Sequence, residues 1–157
     1  MARSDPRPRV LFLCTGNSCR SQMAEGWARA LHAHSIDACS AGTNPHGLNS
    51  LAVRVMLEAG VDIRGHTSKL PEDLGGAFDV VFTVCDAAHE SCPVLPGARI
   101  VHAGFDDPPR LARDARDDDE ALPHYRRVRD EIRAFVETLP ALLDGAEPDP
   151  SAEAAPR

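Results

Sequence analysis

The stretch Val10-Leu11-Phe12-Leu13-Cys14-Thr15-Gly16-Asn17-Ser18-Cys19-Arg20-Ser21 decides the fold. Four consecutive apolar residues, the length of a buried strand, run into a loop of small residues. From Gln22 to His34 apolar side chains then recur at helical spacing, at Met23, Trp27, Ala30 and Leu31. A strand that ends in such a loop and feeds a helix leaves several backbone N–H groups unpaired and aimed at one point, where the helix dipole adds positive charge. The result is an anion trap with a nucleophile in it. Gly16 lets the backbone come close to a ligand, Arg20 can fork two donors onto a tetrahedral oxyanion, and the Cys14 sulfur sits where the anion's central atom would lie. The same field favours thiolate over thiol, and Ser21 is placed to give the sulfur a hydrogen bond. A buried Cys followed six residues later by a surface Arg is a weak signal by itself. The preceding strand, the glycine and the serine after the arginine make it specific.

Outward from this loop, strand-like and helix-like segments alternate, which predicts a parallel sheet with helices on its faces. Ile36 to Ala41 reads as a short strand closed by Gly42. Asn49 is placed to cap a helix running to Ala59 and stopped by Gly60. Ile63 to Thr67 reads as extended, and Phe78 to Val84 is the clearest buried strand, ended by Cys85. Arg99 to His102 is a further short strand, and Gly104 to Asp119 reads as a charged, proline-bearing loop. A last helix starts near Leu122 or Tyr125 and ends at Leu139, with Tyr125, Val128, Ile132, Phe135, Val136 and Leu139 inward. The expectation is a single-domain α/β fold, an open parallel four-stranded sheet flanked by helices. The domain spans residues 9–144, after a flexible N-terminus (1–8) and before a tail (145–157) too poor in apolar residues to pack.

The chain has 157 residues, enough for one domain with its own core, and only 4% are aromatic, so that core is aliphatic. A formal net charge of -7 argues against general binding to nucleic acid or an anionic membrane. Any anion must therefore be held by local dipoles and Arg20 against the charge of the whole molecule. The opening, Met1 to Arg9, is polar and carries no apolar run, so no secretory signal or membrane span is read and the expected address is the cytoplasm. In that reducing compartment five cysteines are poor structural staples, and an odd number cannot pair completely; redox catalysis or metal binding is the better expectation.

In a doubly wound sheet the ligand crevice lies at the carboxyl ends of the strands, where both Cys14 and Cys85 fall. Cys85 and Cys92 bracket a stretch compatible with a short helix halted by Pro93. Residues seven apart on a helix share a face but are separated by about 10.5 Å, whereas a disulfide needs Cα atoms within roughly 4.4–6.8 Å. A bond between them requires the helix to unwind, a route by which oxidation would present a disulfide to an external reductant. Two semi-buried thiols at helix ends, or a metal site with His89 and His102, are the alternatives, the latter lacking close Cys-x-x-Cys spacing. Asp107, in Gly104-Phe105-Asp106-Asp107-Pro108, is either a solvated loop acid or a proton donor to a leaving oxygen. Cys19 and Cys39 read as a loop residue acting through its amide and a small core residue.

These segments, from Cys14 through Trp27, with Ser40-Ala41-Gly42, Gly65-His66-Thr67-Ser68, Cys85 to Cys92-Pro93, Gly104 to Pro108 and Arg127 to Ile132, resemble the thioredoxin-coupled arsenate reductases of the low-molecular-weight tyrosine phosphatase fold. The similarity runs in consistent order from Arg9 to Leu139. It implies that Thr15, Gly16, Asn17, Ser18, Cys19 and Arg20 hold arsenate, that Cys14 attacks it with Ser21 supporting the sulfur, and that Asp107 protonates the departing oxygen. It further implies that Cys85 displaces arsenite as a Cys14–Cys85 disulfide forms, and that Cys92 carries the oxidation into a Cys85–Cys92 disulfide reduced by thioredoxin. No organic cofactor or catalytic metal is implied, and a monomer is expected. Some members similar to this chain hold potassium through an acidic residue two positions after the threonine matching Thr67. Here that position is Lys69, the only lysine of the chain, whose ammonium is expected to stand near the cation's place, so no potassium requirement is expected.

Two rival functions remain at this stage. A phosphatase would use Cys14, Arg20 and Asp107 equally well, since fold alone does not fix function, but has no need of the thiols at 85 and 92. A non-catalytic arsenite- or metal-sequestering module would use the cysteines and leave the anion loop unexplained.

Overall fold

The computed structural model describes residues 5–86, 95 and 97–143. Cys92 and the tail beyond 143 lie outside the described residues. Four parallel strands, β1 (Arg9–Cys14), β2 (Asp37–Gly42), β3 (Val80–Thr83) and β4 (Arg99–His102), form one open sheet in the order β2-β1-β3-β4. The helices are α1 (Arg20–His32), α2 (Ser50–Glu58), α3 (Pro108–Leu111), α4 (Asp118–Glu137) and α5 (Leu139–Leu143), with a 3-10 turn at Pro71–Leu74. This is the α/β architecture expected from the alternation of periods.

Central β1 is apolar on both faces because both are covered: Val10, Leu11, Phe12 and Leu13 have no exposed surface. Register sets Phe12 beside Phe82, their rings stacked at 5.8 Å, and Phe135 of α4 meets Phe82 edge-on at 5.2 Å. The long helix is thereby seated on that face of the sheet. α1 packs against β1, β2 and α4, and α2 against α1 and α4. Asn49 caps α2, its side-chain oxygen accepting from the Leu51 and Ala52 amides, and Gly60 follows with φ 87°.

Three boundaries differ from the sequence reading. Helix α4 starts at Asp118 rather than near Leu122 or Tyr125. Asp117 accepts from the Glu120 amide, and three acidic residues in the first turn suit the helix dipole. Pro123 lies inside the helix and leaves the Asp119 carbonyl without its i→i+4 N–H donor. The loop expected over Gly104 to Asp119 contains α3, begun by Pro108. Ile63 to Thr67 joins no strand; its backbone instead serves side chains, Thr67 O receiving both Gln22 Nε2 and Lys69 Nζ.

At the N-terminal edge Arg7 donates to the Ala33 carbonyl and Pro8 O accepts from the Asp37 amide. No helix among the described residues is long and apolar enough to cross a membrane.

Candidate active site

Cys14 is the last residue of β1 and Arg20 the first of α1, so the loop between them lies at the carboxyl end of the sheet. The helix N-cap, Cys19, provides no side-chain cap, which leaves the first amides of α1 directed at the loop. A cleft of about 580 Å³ opens there, lined among others by Cys14, Thr15, Gly16, Ser18, Cys19, Arg20, Cys85 and Asp107. Strands β1 and β3 are neighbours in register, Leu13 opposite Thr83, and both thiols follow from the same end of that pair. Cys14 and Cys85 are each buried, and Thr15 Oγ1 stands 3.4 Å from the Cys85 sulfur.

The loop is held from behind by a hydrogen-bond chain whose proton directions are set by its members. Asn17 adopts φ 45° and is fully buried. Its Oδ1 accepts from the Lys69 amide at 3.0 Å, so its two Nδ2 protons go to Ser21 Oγ at 2.9 Å and Ser40 Oγ at 3.0 Å. Ser40 donates to Glu25 Oε1 at 2.6 Å, and Ser21 Oγ, which receives Asn17, stands 2.9 Å from the Cys14 sulfur, where its hydroxyl can donate to a thiolate. The Asn17 carbonyl receives Gln22 Nε2 and Ser68 Oγ. The Asn17 side chain thus turns away from the cleft; what it offers an anion is its backbone.

Arg20 donates through Nη1 to Phe105 O at 2.9 Å, and its Nη2 lies 3.6 Å from Asp107 Oδ1. The expected acid and the expected anion clamp are brought together, on different elements, over Cys14. Burial pushes the Cys19 thiol well above its ordinary range, leaving it neutral, and burial likewise pushes Cys39 up to about 11, with its Sγ donating to Val10 O. Both are inert beside Cys14.

Buried Glu25 and the groups around it are paired within the fold. Its carboxylate is met by Arg29 Nε at 2.9 Å and by Ser40, Asn17 Oδ1 is taken by the Lys69 amide, and the Lys69 ammonium donates to Thr67 O. The positive charge against Glu25 is Arg29, while the Lys69 ammonium is held at the Thr67 carbonyl.

Three participants were given no role by the sequence. His46 lines the cleft with its ring laid against Gly16, where a Cβ would sit 2.0 Å from Nε2. Asp86 lines the cleft beside Cys85, and Phe105 contributes its carbonyl. Asp86 and Phe105 fall inside segments quoted from the sequence and His46 outside them, but the role of each is set by tertiary folding.

Residues 9–147 match the low molecular weight phosphotyrosine protein phosphatase family, and the chain belongs to it. Similar proteins within that fold include arsenate reductases and, among the solved structures, a low molecular weight protein tyrosine phosphatase of T. tengcongensis at 29% identity and TM-score 0.65, covering 84% of this chain and 97% of that one. The chain is 45% identical over 132 residues to an arsenate reductase of Halalkalibacterium halodurans, covering 83% of this chain and 93% of that protein. A solved arsenate reductase in a phosphate-binding state superposes with TM-score 0.67 at 33% identity, over 85% of this chain and 97% of that one. A thioredoxin-dependent arsenate reductase of Corynebacterium glutamicum superposes with TM-score 0.64 at 26% identity, over 87% of this chain and 61% of that one.

Proposed function

We propose that this protein reduces arsenate to arsenite with Cys14 as nucleophile, passing the resulting oxidation through Cys85 and Cys92 to thioredoxin. The observation that carries the reading is the presence of a second buried thiol, Cys85, in the wall of the cleft that holds Cys14, Arg20 and Asp107. A phosphatase working by hydrolysis has no use for it. Similarity to arsenate reductases over most of the chain supports the substrate, and the thioredoxin-dependent relative supports the reductant.

Arsenate enters with its oxygens on the loop amides of Thr15 to Cys19 and on Arg20. The Cys14 thiolate, supported by the Ser21 hydroxyl, attacks arsenic; an As–O bond breaks and Asp107 gives its proton to the departing oxygen, which leaves as water. Cys85 as thiolate attacks the Cys14 sulfur. The S–As electron pair passes to arsenic, As(V) becomes As(III), arsenite leaves, and a Cys14–Cys85 disulfide holds the two lost electrons' worth of oxidation. Cys92 then attacks Cys85, Cys14 departs as thiolate, and the Cys85–Cys92 disulfide is reduced by two electrons from thioredoxin. The reaction belongs in the reducing cytoplasm and calls on a single copy of the chain.

The test is arsenate-dependent NADPH consumption in the presence of thioredoxin and its reductase, comparing wild type with Cys14→Ser, Cys85→Ser and Cys92→Ser. Each substitution is expected to abolish turnover. Normal turnover by Cys92→Ser would remove the three-thiol relay, and phosphate-ester hydrolysis without arsenate reduction would return the chain to the phosphatases.

A further inference from the structure

We propose that His102 positions the thiol of Cys85 by fastening the chain on both sides of it, through Thr83 and Asp86, to the edge strand of the sheet. The inference rests on the reading of Cys85 as the thiol that attacks Cys14.

The arrangement follows from the register. Thr83 and His102 are paired across β3 and β4, so their side chains leave the sheet on the same face, and Thr83 Oγ1 meets His102 Nδ1 at 2.9 Å. Thr83 is fully buried. The chain then continues through Val84, whose N–H donates to Leu13 O and whose carbonyl receives the Phe105 amide, and through Cys85. At Asp86 it returns a side chain to the same imidazole, Oδ1 lying 2.8 Å from Nε2. One ring thus holds the residue two before Cys85 and the residue just after it. An ionised Asp86 only accepts, so Nε2 carries the proton, and Nδ1 is left to accept the Thr83 hydroxyl in the neutral ring. The pair is also covered by the loop that carries Asp107, since a Cβ on Gly104 would lie 3.0 Å from His102 Nε2 and 3.4 Å from Asp86 Oδ1. The staple about Cys85 and the acid loop are in contact.

A staple here acts on rate rather than stability. The Asp86 side chain is 89% exposed, and a contact so well solvated contributes little to folding. Attack on the Cys14 sulfur, by contrast, demands that the incoming thiolate lie along the S–As bond, and a displacement of about 1 Å can cost on the order of a hundredfold in such a step. Thr15 bounds the Cys85 sulfur on one side, and the His102 staple fixes the backbone that carries it.

Two measurements test this. In the first, reduced enzyme is mixed with arsenate without thioredoxin, and arsenite is quantified by rapid quench in a single turnover. His102→Asn keeps reach to Thr83 but not to Asp86, and is expected to slow arsenite release roughly tenfold or more, as is Asp86→Ala. The double variant is expected to be no slower than either, because both remove one contact. His102→Gln, whose amide nitrogen reaches about as far as Nε2, is expected to recover to within roughly threefold of wild type. Inorganic phosphate affinity at the loop and the melting temperature of Asp86→Ala should stay at wild-type values. In the second, alkylation of Cys85 by iodoacetamide is followed by mass spectrometry and is expected to rise severalfold in His102→Asn with Cys14 alkylation unchanged.

Unchanged arsenite release, or a loss of phosphate affinity matching the loss of rate, overturns the proposal, whatever happens to alkylation. A wild type that releases no arsenite overturns the functional reading instead; the staple is then decided by Cys85 alkylation, which a wild-type rate in His102→Asn would refute.

Discussion

The Ser21 hydroxyl stands 2.9 Å from the Cys14 sulfur while its oxygen receives Asn17 Nδ2 at 2.9 Å, so once Cys14 is a thiolate, which only accepts, the Ser21 proton goes to it. The nucleophile therefore faces a hydroxyl held in place by a buried network. Ser21→Ala removes that donor and leaves one Asn17 proton without an acceptor in a site with no exposed surface. The expected loss is about 10- to 100-fold in kcat/KM, together with about 1–3 kcal/mol of stability from the orphaned buried amide. Steady-state arsenate reduction and denaturant unfolding read the two separately.

Two glycines touch the loop, and their substitutions should differ sharply. A Cβ on Gly42 would lie 2.5 Å from Thr15 O and 2.7 Å from Asn17 N, both backbone atoms of the anion loop. The nearest atoms to a Cβ on Gly16 belong to the His46 ring, an exposed side chain that can swing aside. Gly42→Ala is expected to cost about 1–3 kcal/mol, as overpacking does, and to abolish phosphate binding by displacing the loop. Gly16→Ala is expected to melt within a few degrees of wild type. Calorimetry with and without phosphate distinguishes the two, and equal effects would contradict the geometry.

The loop and its flanks were legible because their chemistry is local: a strand, small residues, an arginine and a helix follow one another within about twenty positions. β4 and the Asn49 cap were read for the same reason. Helix α4 was begun too late because the run Asp117 to Asp119 read as loop, whereas an acidic first turn suits a helix start, and the helix runs on through Pro123 in its interior. The chain from Cys14 through Asn17 and Ser40 to Glu25 could not be seen. Ser40 is twenty-three residues from Asn17 and fifteen from Glu25, and serine, asparagine and glutamate carry no periodic signal when their partners come from the neighbouring strand. The Lys69 contacts, its backbone N–H to Asn17 Oδ1 and its ammonium to Thr67 O, likewise carry no local signal.

His66 gives the fold a dependence on acid. Burial lowers its pKa below 6.5, outweighing the opposite pull of Glu25, whose Oε2 is 3.9 Å from Nε2; Arg29 and Lys69 lower it further and Asp62 raises it. Since the folded state takes up this proton at lower pH than the unfolded chain, stability from neutral His66 is complete above the unfolded value of about 6.5 and is lost as pH falls below it through the lower folded-state pKa. The melting temperature of wild type is therefore expected to fall between pH 6.5 and 5, and His66→Asn to show a shallower slope over the same interval. Parallel slopes would place the acid sensitivity elsewhere.

Asp107 lies near Arg20 yet remains 38% exposed, so it can reach both the bound anion and solvent. Asp107→Asn keeps the size and removes the proton. The expected result is a fall of about 10²- to 10³-fold in arsenite formation, with phosphate affinity nearly unchanged, because the loop amides and Arg20 are intact. A loss confined to affinity would instead make Asp107 an orienter of Arg20.

The last prediction concerns charge behind the loop. Glu25 is almost fully buried, and its carboxylate is balanced by Arg29 and hydrogen-bonded by Ser40, so nothing is left for an added cation to neutralise. Exchanging potassium for sodium at constant ionic strength is expected to leave kcat and melting temperature unchanged. Arg29→Ala strands the carboxylate, which still anchors Ser40 and through it Asn17, so it should lower stability by about 1–3 kcal/mol and reduce arsenate turnover, whereas Lys69→Ala, which spares the backbone contact to Asn17, should do neither. A specific gain with potassium in wild type would show a cation site that Arg29 does not replace, and an effect of Lys69→Ala equal to that of Arg29→Ala would show that the ammonium also supports the loop.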